Sequence, residues 1–376
     1  MSVIQLLREL VAFNSTSART NAPMVTHLAA RAEALGLRFQ RFPYTDEAGV
    51  EKINLIAAGG PEVSTPSMVD LALVGHTDTV PFAADWHEAL VLTERDGKLY
   101  GRGSCDTKGF IAAALTAVEE VGVANLKKPF ALIFTADEEI GCLGAKRLAD
   151  IRPFGIHNAI VGEPTSLQPM RAGKGYCIAE VTVRGREGHS AYPAVGASAI
   201  FRAARLVNRI EAIAEDLKNE THSAFEPPYT TLNVGVINGG TAKNIIAGEC
   251  RFTLEWRPVP GQAATRVVDL VNQAIGELAS AEADFTAEVD ATRLDSASET
   301  PADAPLVKLL ETATGKSSGT VAFGTEAPQM LELGADAVVM GPGDIRVAHR
   351  TGEYVPIDEL VECSRILGQA IRHFCT

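Results

Sequence analysis

Four short apolar runs constrain this chain more than any other feature: Leu71–Gly75, Phe130–Thr135, Ala159–Gly162 and Ala337–Gly341. Each ends abruptly in polar or glycine-containing sequence, the pattern of strands buried on both faces in a parallel sheet. Stretches of helical pattern separate several of them, notably the alanine-rich, periodically apolar Phe110–Val121. Alternation of strand and helix predicts an α/β domain, a mainly parallel sheet with helices over both faces. At 376 residues the chain exceeds what one hydrophobic core usually supports, so two domains are expected.

A different rhythm begins near Gly173. Strand Tyr176–Val183, helix Val195–Lys218, strands Thr231–Ile237 and Ala247–Trp256, helix Gln262–Glu282 and a strand near Phe285–Val289 follow one another. This β-α-β-β-α-β order is the ferredoxin-like α+β pattern. It predicts a small inserted domain over 174–289, with 1–173 and 290–376 forming the larger one.

Composition narrows the function by exclusion. Hydrophobic residues at 46% and charged residues at 22% are ordinary for a globular protein, and disorder is not expected. The net charge of −13, without a basic cluster, argues against nucleic acid and anionic membrane as partners. No apolar run is long enough to span a bilayer. Met1 to Phe13 is an amphipathic pattern without the basic and apolar regions of a signal peptide, so a cytoplasmic enzyme is the expectation. The six cysteines lack CxxC spacing and read as reduced thiols.

Chemistry gathers where the strands end. Leu71–Gly75 runs into His76-Thr77-Asp78, Phe130–Thr135 into Asp137-Glu138-Glu139, and Ala159–Gly162 into Glu163. Ligand sites of open α/β sheets lie outside the carboxyl ends of the strands. Two further segments carry Asp106, just before a helix, and Ala348-His349-Arg350. Taken singly, each has a bland reading: a hydrogen-bonding histidine, a helix cap, a solvated acidic loop, a turn before proline, a surface pair. Taken together they supply the imidazole and carboxylate ligands, and the unligated base, that a dinuclear hydrolytic site requires.

In this order the five segments resemble the dizinc deacylase and exopeptidase family that includes acetylornithine deacetylase, succinyl-diaminopimelate desuccinylase and carboxypeptidase G. The resemblance runs from about Leu71 to the C-terminus. It implies that Asp106 bridges two divalent metal ions, with His76 and Glu163 completing one and Glu139 and His349 the other. Zn²⁺ is the first choice and Co²⁺ the second, since mixed nitrogen and oxygen ligands suit several metals. Glu138 is implied as the base that takes the proton of the attacking water, and Asp78 as the residue that fixes the His76 imidazole. A cis peptide after Asp106 is implied as well.

Gly185–Pro193 resembles the family's lid motif, which implies that His189 stabilises the tetrahedral oxyanion, in many members from the partner subunit of a dimer. Asn244 and Arg257 match lid positions that contact substrate, Arg257 through a carboxylate. Gly324 and Thr325 match the loop lining the substrate pocket. The resemblance also implies a homodimer formed through the inserted domain and a small N-acyl amino acid as substrate.

Three stretches lean toward the branch that releases acetate from N-acetyl-L-ornithine: Phe323–Pro328, Gly341–Ile345 before Ala348-His349 with Glu353-Tyr354 beyond, and the closing Arg372–Cys375. Arg350-Thr351-Gly352 departs from the more acidic or polar stretch expected after the histidine, which leaves acetylcitrulline, succinyl-diaminopimelate and glutamate conjugates as alternatives. A non-catalytic binding protein is the third reading. Glu138 speaks against it, because a binder has no need of an unligated base.

Overall fold

The computed structural model describes residues 2–61, 67–282 and 284–376; Met1, residues 62–66 and Ala283 lie outside the described residues. The chain divides into two compact units. One comprises Met1–Ala172, Glu299–Gly319 and Thr325–Thr376, the other Gly173–Ser298 and Thr320–Gly324.

The four apolar runs form the centre of the first unit's sheet. Leu71–His76 runs parallel to Phe130–Thr135 on one side and to Asn158–Val161 on the other. Asp336–Val339 then pairs in parallel with Asn158–Val161. Successive residues of each strand enter opposite cores, as strand geometry requires. Leu71 and Leu73 pack with Leu7, Phe110 and Leu360, whereas Ala72 and Val74 pack with Leu148, Phe154 and Met330. Both faces are thus apolar, which is why the runs show no alternation in sequence.

Helix Lys108–Val121 is buried on nearly every side, and alanine at 112, 113, 114 and 117 lets its neighbours approach closely. It lies against the sheet strand Leu71–His76, the N-terminal helix Val3–Val11 and the C-terminal helix Ile357–Cys375. A helix that is apolar all round belongs inside such a layer.

Besides several strands of two to four residues, two long ones escape the sequence reading. Arg38–Thr45 and Glu51–Gly59 form an antiparallel hairpin on the edge of the sheet beside Phe130–Thr135. The outer strand is mostly exposed and contains Pro43, which an edge position tolerates because one side of the strand needs no ladder hydrogen bonds.

The second unit has the ferredoxin-like arrangement. Its antiparallel sheet runs in the order Thr231–Gly239, Glu249–Arg257, Tyr176–Arg184, Thr286–Asp295. Cys177, Ala179, Val181, Phe252, Leu254 and Trp256 form a buried face under helices Ala199–Leu217 and Arg266–Ala281. The first helix starts at Ala199, not Val195, because the Ser198 hydroxyl caps it by accepting the Phe201 N–H. The expected return to the larger domain at about 290 falls inside the strand Thr286–Asp295. Its alternating burial continues to Asp295, so the unit extends to Ser298 and also takes in 320–324. All six cysteines are buried and none is disulfide-bonded. No helix among the described residues is long and apolar enough to cross a membrane.

Close packing under the sheet edge makes one glycine decisive. A Cβ at Gly162 would lie 2.2 Å from the Phe110 ring, itself fully buried. Gly162→Ala should destabilise the protein by about 1–3 kcal/mol, as overpacking does. Gly276 has open space around its Cβ position inside helix Arg266–Ala281, so Gly276→Ala should stabilise by ~0.5–1 kcal/mol. Urea denaturation of the two variants checks both signs.

Candidate metal centre

The register of the parallel strands brings the site together. His76 ends its strand opposite Thr135, and the Gly162 N–H donates to the Val74 carbonyl at 2.8 Å. Glu138, Glu139 and Glu163 therefore leave neighbouring strands at one edge. Asp106 arrives at the same edge from the loop before helix Lys108–Val121, through a cis peptide to Thr107. His349 comes from the loop beyond Asp336–Val339 and takes a left-handed conformation at φ 61°.

Asp106 lies between the two histidines. Its Oδ1 is 3.0 Å from His76 Nε2 and its Oδ2 is 3.1 Å from His349 Nε2. His349 Nε2 is also 2.9 Å from Glu139 Oε2. Ligand atoms of His76, Asp106 and Glu139 lie within 4.8 Å of one another, as do those of His76, Glu138 and Glu163. Nitrogen and carboxylate oxygen donors at this density fit divalent cations, and burial of so many acids calls for positive charge. A carboxylate with one oxygen toward each histidine is the posture of a bridge.

Asp78 meets the His76 imidazole chiefly through its main chain. His76 Nδ1 is 3.0 Å from the Asp78 main-chain carbonyl but 3.6 Å from its carboxylate. A carbonyl only accepts, so Nδ1 carries the proton and the Nε2 lone pair is the one available to a cation. The Asp78 carboxylate instead accepts the Ser17 hydroxyl at 2.8 Å and the N–H groups of Glu138 and Glu139 at 3.1 and 3.3 Å. It holds the turn that carries both glutamates. That turn is braced behind by Asp137, whose carboxylate accepts Lys52 Nζ at 2.8 Å and the Tyr44 hydroxyl at 2.9 Å.

Several residues of this neighbourhood were given no role from sequence, although Glu353 and Glu326 lie in stretches already noted. Lys52 and Glu353 are fully buried, and Arg102 nearly so. Glu326 is buried beside the site with neither carboxylate oxygen hydrogen-bonded. Glu326 follows Thr325 in a motif already noted, which was the available signal; the partners of Lys52 and Glu353 lie far away in sequence.

The candidates in the second unit form two groups. The short strand Gly188–His189 pairs with Ile245–Ile246, and the Ser190 N–H donates to the Asn244 carbonyl at 3.1 Å, so His189 and Asn244 are neighbours. Both are exposed. Arg257 donates to Glu255 at 2.8 Å and to the Ala322 carbonyl at 2.7 Å, with its guanidinium 4.4 Å from the centre of the Tyr176 ring. Tyr176 is also near Gly324, which belongs to this unit, whereas Thr325 belongs to the first.

Burial dominates the electrostatics of the acids. It pushes Glu138 up to about 8, with help from Glu139, Glu326 and Asp106, and Glu326 up to about 7. Glu163 rises well above the usual carboxylate range through burial and the nearby Asp106 and Glu138. Burial also acts to raise Asp106, but hydrogen bonds with His349 and His76 outweigh it and hold the carboxyl low. Those contacts raise His349 to about 10, through Asp106 first and Glu139 second.

Asp106 apart, these shifts share one sign. Raised carboxyls keep protons in the folded chain between the unfolded value of 4.5 and about 8, and His349 does so between 6.5 and about 10. The folded state then binds more protons than the unfolded one, so stability falls as pH rises through this window. Chelated protein should melt at a lower temperature at about pH 8.5 than at about pH 6, and added metal should raise the melting temperature more at the higher pH. Differential scanning calorimetry decides it; a rise in melting temperature of the chelated protein across this interval would contradict the electrostatic account.

The profile of Peptidase family M20/M25/M40 matches residues 72–373. A protein of Myxococcus xanthus named acetylornithine deacetylase is 54% identical over 370 residues, 98% of this chain and 96% of that one. Among solved structures, aminopeptidase PepT of Bacillus cereus superposes with a TM-score of 0.77 at 20% identity, covering 99% of this chain and 98% of the other. A dinuclear metal binding peptidase from Bacillus subtilis superposes with a TM-score of 0.70 at 14% identity, covering 99% and 97%. With the family's sequence profile over most of its length and its fold throughout, the chain belongs to peptidase family M20/M25/M40, whose members are dinuclear metal-dependent hydrolases.

Proposed function

We propose that this chain hydrolyses the amide of N-acetyl-L-ornithine to L-ornithine and acetate. The observation that carries the hydrolytic reading is Asp106 held between His76 and His349, with acids on both flanks. The choice of substrate rests on the relative named acetylornithine deacetylase, similar over nearly the whole chain.

His76, Asp106 and Glu163 would hold one divalent ion and Asp106, Glu139 and His349 the other, most simply Zn²⁺, with Co²⁺ as alternative. When bound, such ions supply Lewis acidity toward water and the amide carbonyl. Glu138 takes one proton from the attacking water as the C–O bond forms and the carbonyl becomes a tetrahedral oxyanion, then gives it to the amine nitrogen as the carbonyl re-forms and the C–N bond breaks. Its place beside His76 and Glu163 suits that exchange. His189 donates to the oxyanion, Asn244 and Arg257 orient substrate, and Gly324 and Thr325 line its pocket.

The second unit serves, in this reading, as the pairing surface of a homodimer. Phe201 is 71% exposed and lines one groove with the exposed Ile200 and Ile245, and Val236 and Ile237 of the same unit are exposed as well. Cytoplasmic placement accords with buried, unbridged cysteines.

Two experiments test these roles. Glu138→Gln should retain both ions and lose turnover by about 10²–10⁴-fold, the usual contribution of a general base. Glu139→Gln should lower metal content as well, measured by atomic emission on dialysed protein. Substantial turnover by Glu138→Gln would remove Glu138 from the role. A metal-loaded substrate panel of acetylornithine, acetylcitrulline, succinyl-diaminopimelate and a glutamate conjugate should show the highest kcat/KM for acetylornithine. Preference for another member would reassign the substrate while leaving the centre intact.

A further inference from the structure

The carboxylate of Glu353 is fully buried, yet it stands on none of the strand ends that deliver the site. One of its oxygens accepts two successive main-chain N–H groups, those of Cys105 at 3.0 Å and Asp106 at 3.1 Å. The other oxygen accepts Arg102 Nη1 at 2.5 Å. Arg102 is buried too; its second amino group donates to the Pro81 carbonyl at 3.2 Å, and its guanidinium lies 5.2 Å from the Trp86 ring centre. Consecutive N–H groups converging on one point form a concavity that favours an anion, and hydrogen bonds to a charged acceptor are stronger than neutral ones.

The same residue fixes the far end of the loop that carries His349. The Gly101 N–H donates to the Glu353 carbonyl at 3.1 Å, and the following residue Tyr354 pairs with Tyr100 in antiparallel register. The Glu353 N–H closes the turn from Arg350 at 3.3 Å, with Gly352 in the left-handed region at φ 81°. His349 immediately precedes that turn, and its imidazole meets the Asp106 carboxylate. Glu353 therefore touches the main chain of one candidate ligand and anchors the segment bearing another.

We propose that Glu353, paired with Arg102, is a positioning residue that sets Asp106 and His349 against each other, so that both ligand segments are delivered to the metals together. This rests on the dinuclear reading of the site. A carboxylate is required because an amide in its place would keep an acceptor for the N–H groups but turn a donor or a neutral oxygen toward Arg102, leaving the guanidinium buried without its counter-charge.

The test compares Glu353→Gln and Arg102→Lys with the unmodified protein. Metal affinity is measured by competition with a chromophoric chelator for Zn²⁺ and Co²⁺, and the melting temperature is measured on chelated protein. Both variants should bind metal about 10- to 100-fold more weakly, Arg102→Lys less severely, as loss of a residue that orients ligands does. At saturating metal, KM for acetylornithine should be unchanged. Metal affinity equal to that of the unmodified protein in either folded variant would overturn the proposal. A loss of affinity that merely tracks a lowered melting temperature of the chelated variants, or failure of both to fold, would show a structural role only and overturn it as well. If the unmodified protein bound no metal in the same titration, the dinuclear reading itself would fall.

Discussion

The carboxylate of Asp106 is the contact on which the first unit's architecture converges. Its two oxygens meet imidazoles from segments at opposite ends of the sequence, His76 and His349, at 3.0 and 3.1 Å. Neither contact could form unless a parallel sheet ended its strands in register at one edge and a buried helix began just beyond Asp106. The apolar runs do more than fill a core. Their lengths, matched from Leu71 to His76 and from Phe130 to Thr135, determine where polar sequence begins, and so where the acids stand. A residue inserted in one strand would move its acid away from the others as well as exchange the faces of its side chains.

Around that centre, buried basic groups are used for framework and withheld from the ligands. Lys52 pairs with Asp137, Arg102 with Glu353, and Lys108 donates to the Phe13 carbonyl at 2.8 Å. Each holds a loop. No lysine or arginine forms an ion pair with Glu138, Glu139, Glu163 or Asp106 among the described residues; histidines are their only basic partners. An isolated buried anion is costly, and four together more so. Divalent cations and protons compete for the same oxygens, which is why the raised carboxyls and the implied metals are two aspects of one imbalance.

Much of this was legible in the sequence, for a physical reason. A doubly buried strand must be apolar throughout and must stop where water or ligand begins, so both the strands and their terminal acids leave a one-dimensional trace. The edge hairpin Arg38–Thr45 with Glu51–Gly59 left a weaker one, because its outer strand faces solvent and includes a proline. Three helices were found from their pattern but their starts were not, since a cap such as Ser198 depends on one hydroxyl rather than on periodicity; others, such as Ala22–Ala34 and Ile357–Cys375, were not read at all. Least legible were the supports. Glu353 reaches Arg102 across 251 residues and Lys52 reaches Asp137 across 85, and nothing in the local pattern at either end reports the other. Only half of what Asp78 does was legible, for a related reason: spacing places it near His76, but only the fold shows that its carboxylate also turns toward the Glu138 and Glu139 amides.

That last arrangement explains how two adjacent glutamates come to do different things. Both N–H groups are held by the one carboxylate of Asp78, so the two residues cannot rotate independently of each other or of the strand ending at His76. From this fixed pair of amides the side chains diverge. Glu139 goes to His349, while Glu138 accepts the Cys142 thiol at 3.4 Å and lies with His76 and Glu163. A soft thiol donor on Glu138 is a weak restraint compared with an imidazole on Glu139. The carboxylate proposed to take and release a proton is thereby the less firmly held of the two, although both are anchored at the same point of the main chain. Distinct chemistry at neighbouring positions requires only that one anchor fix the backbone and that the two side chains find partners of unequal strength.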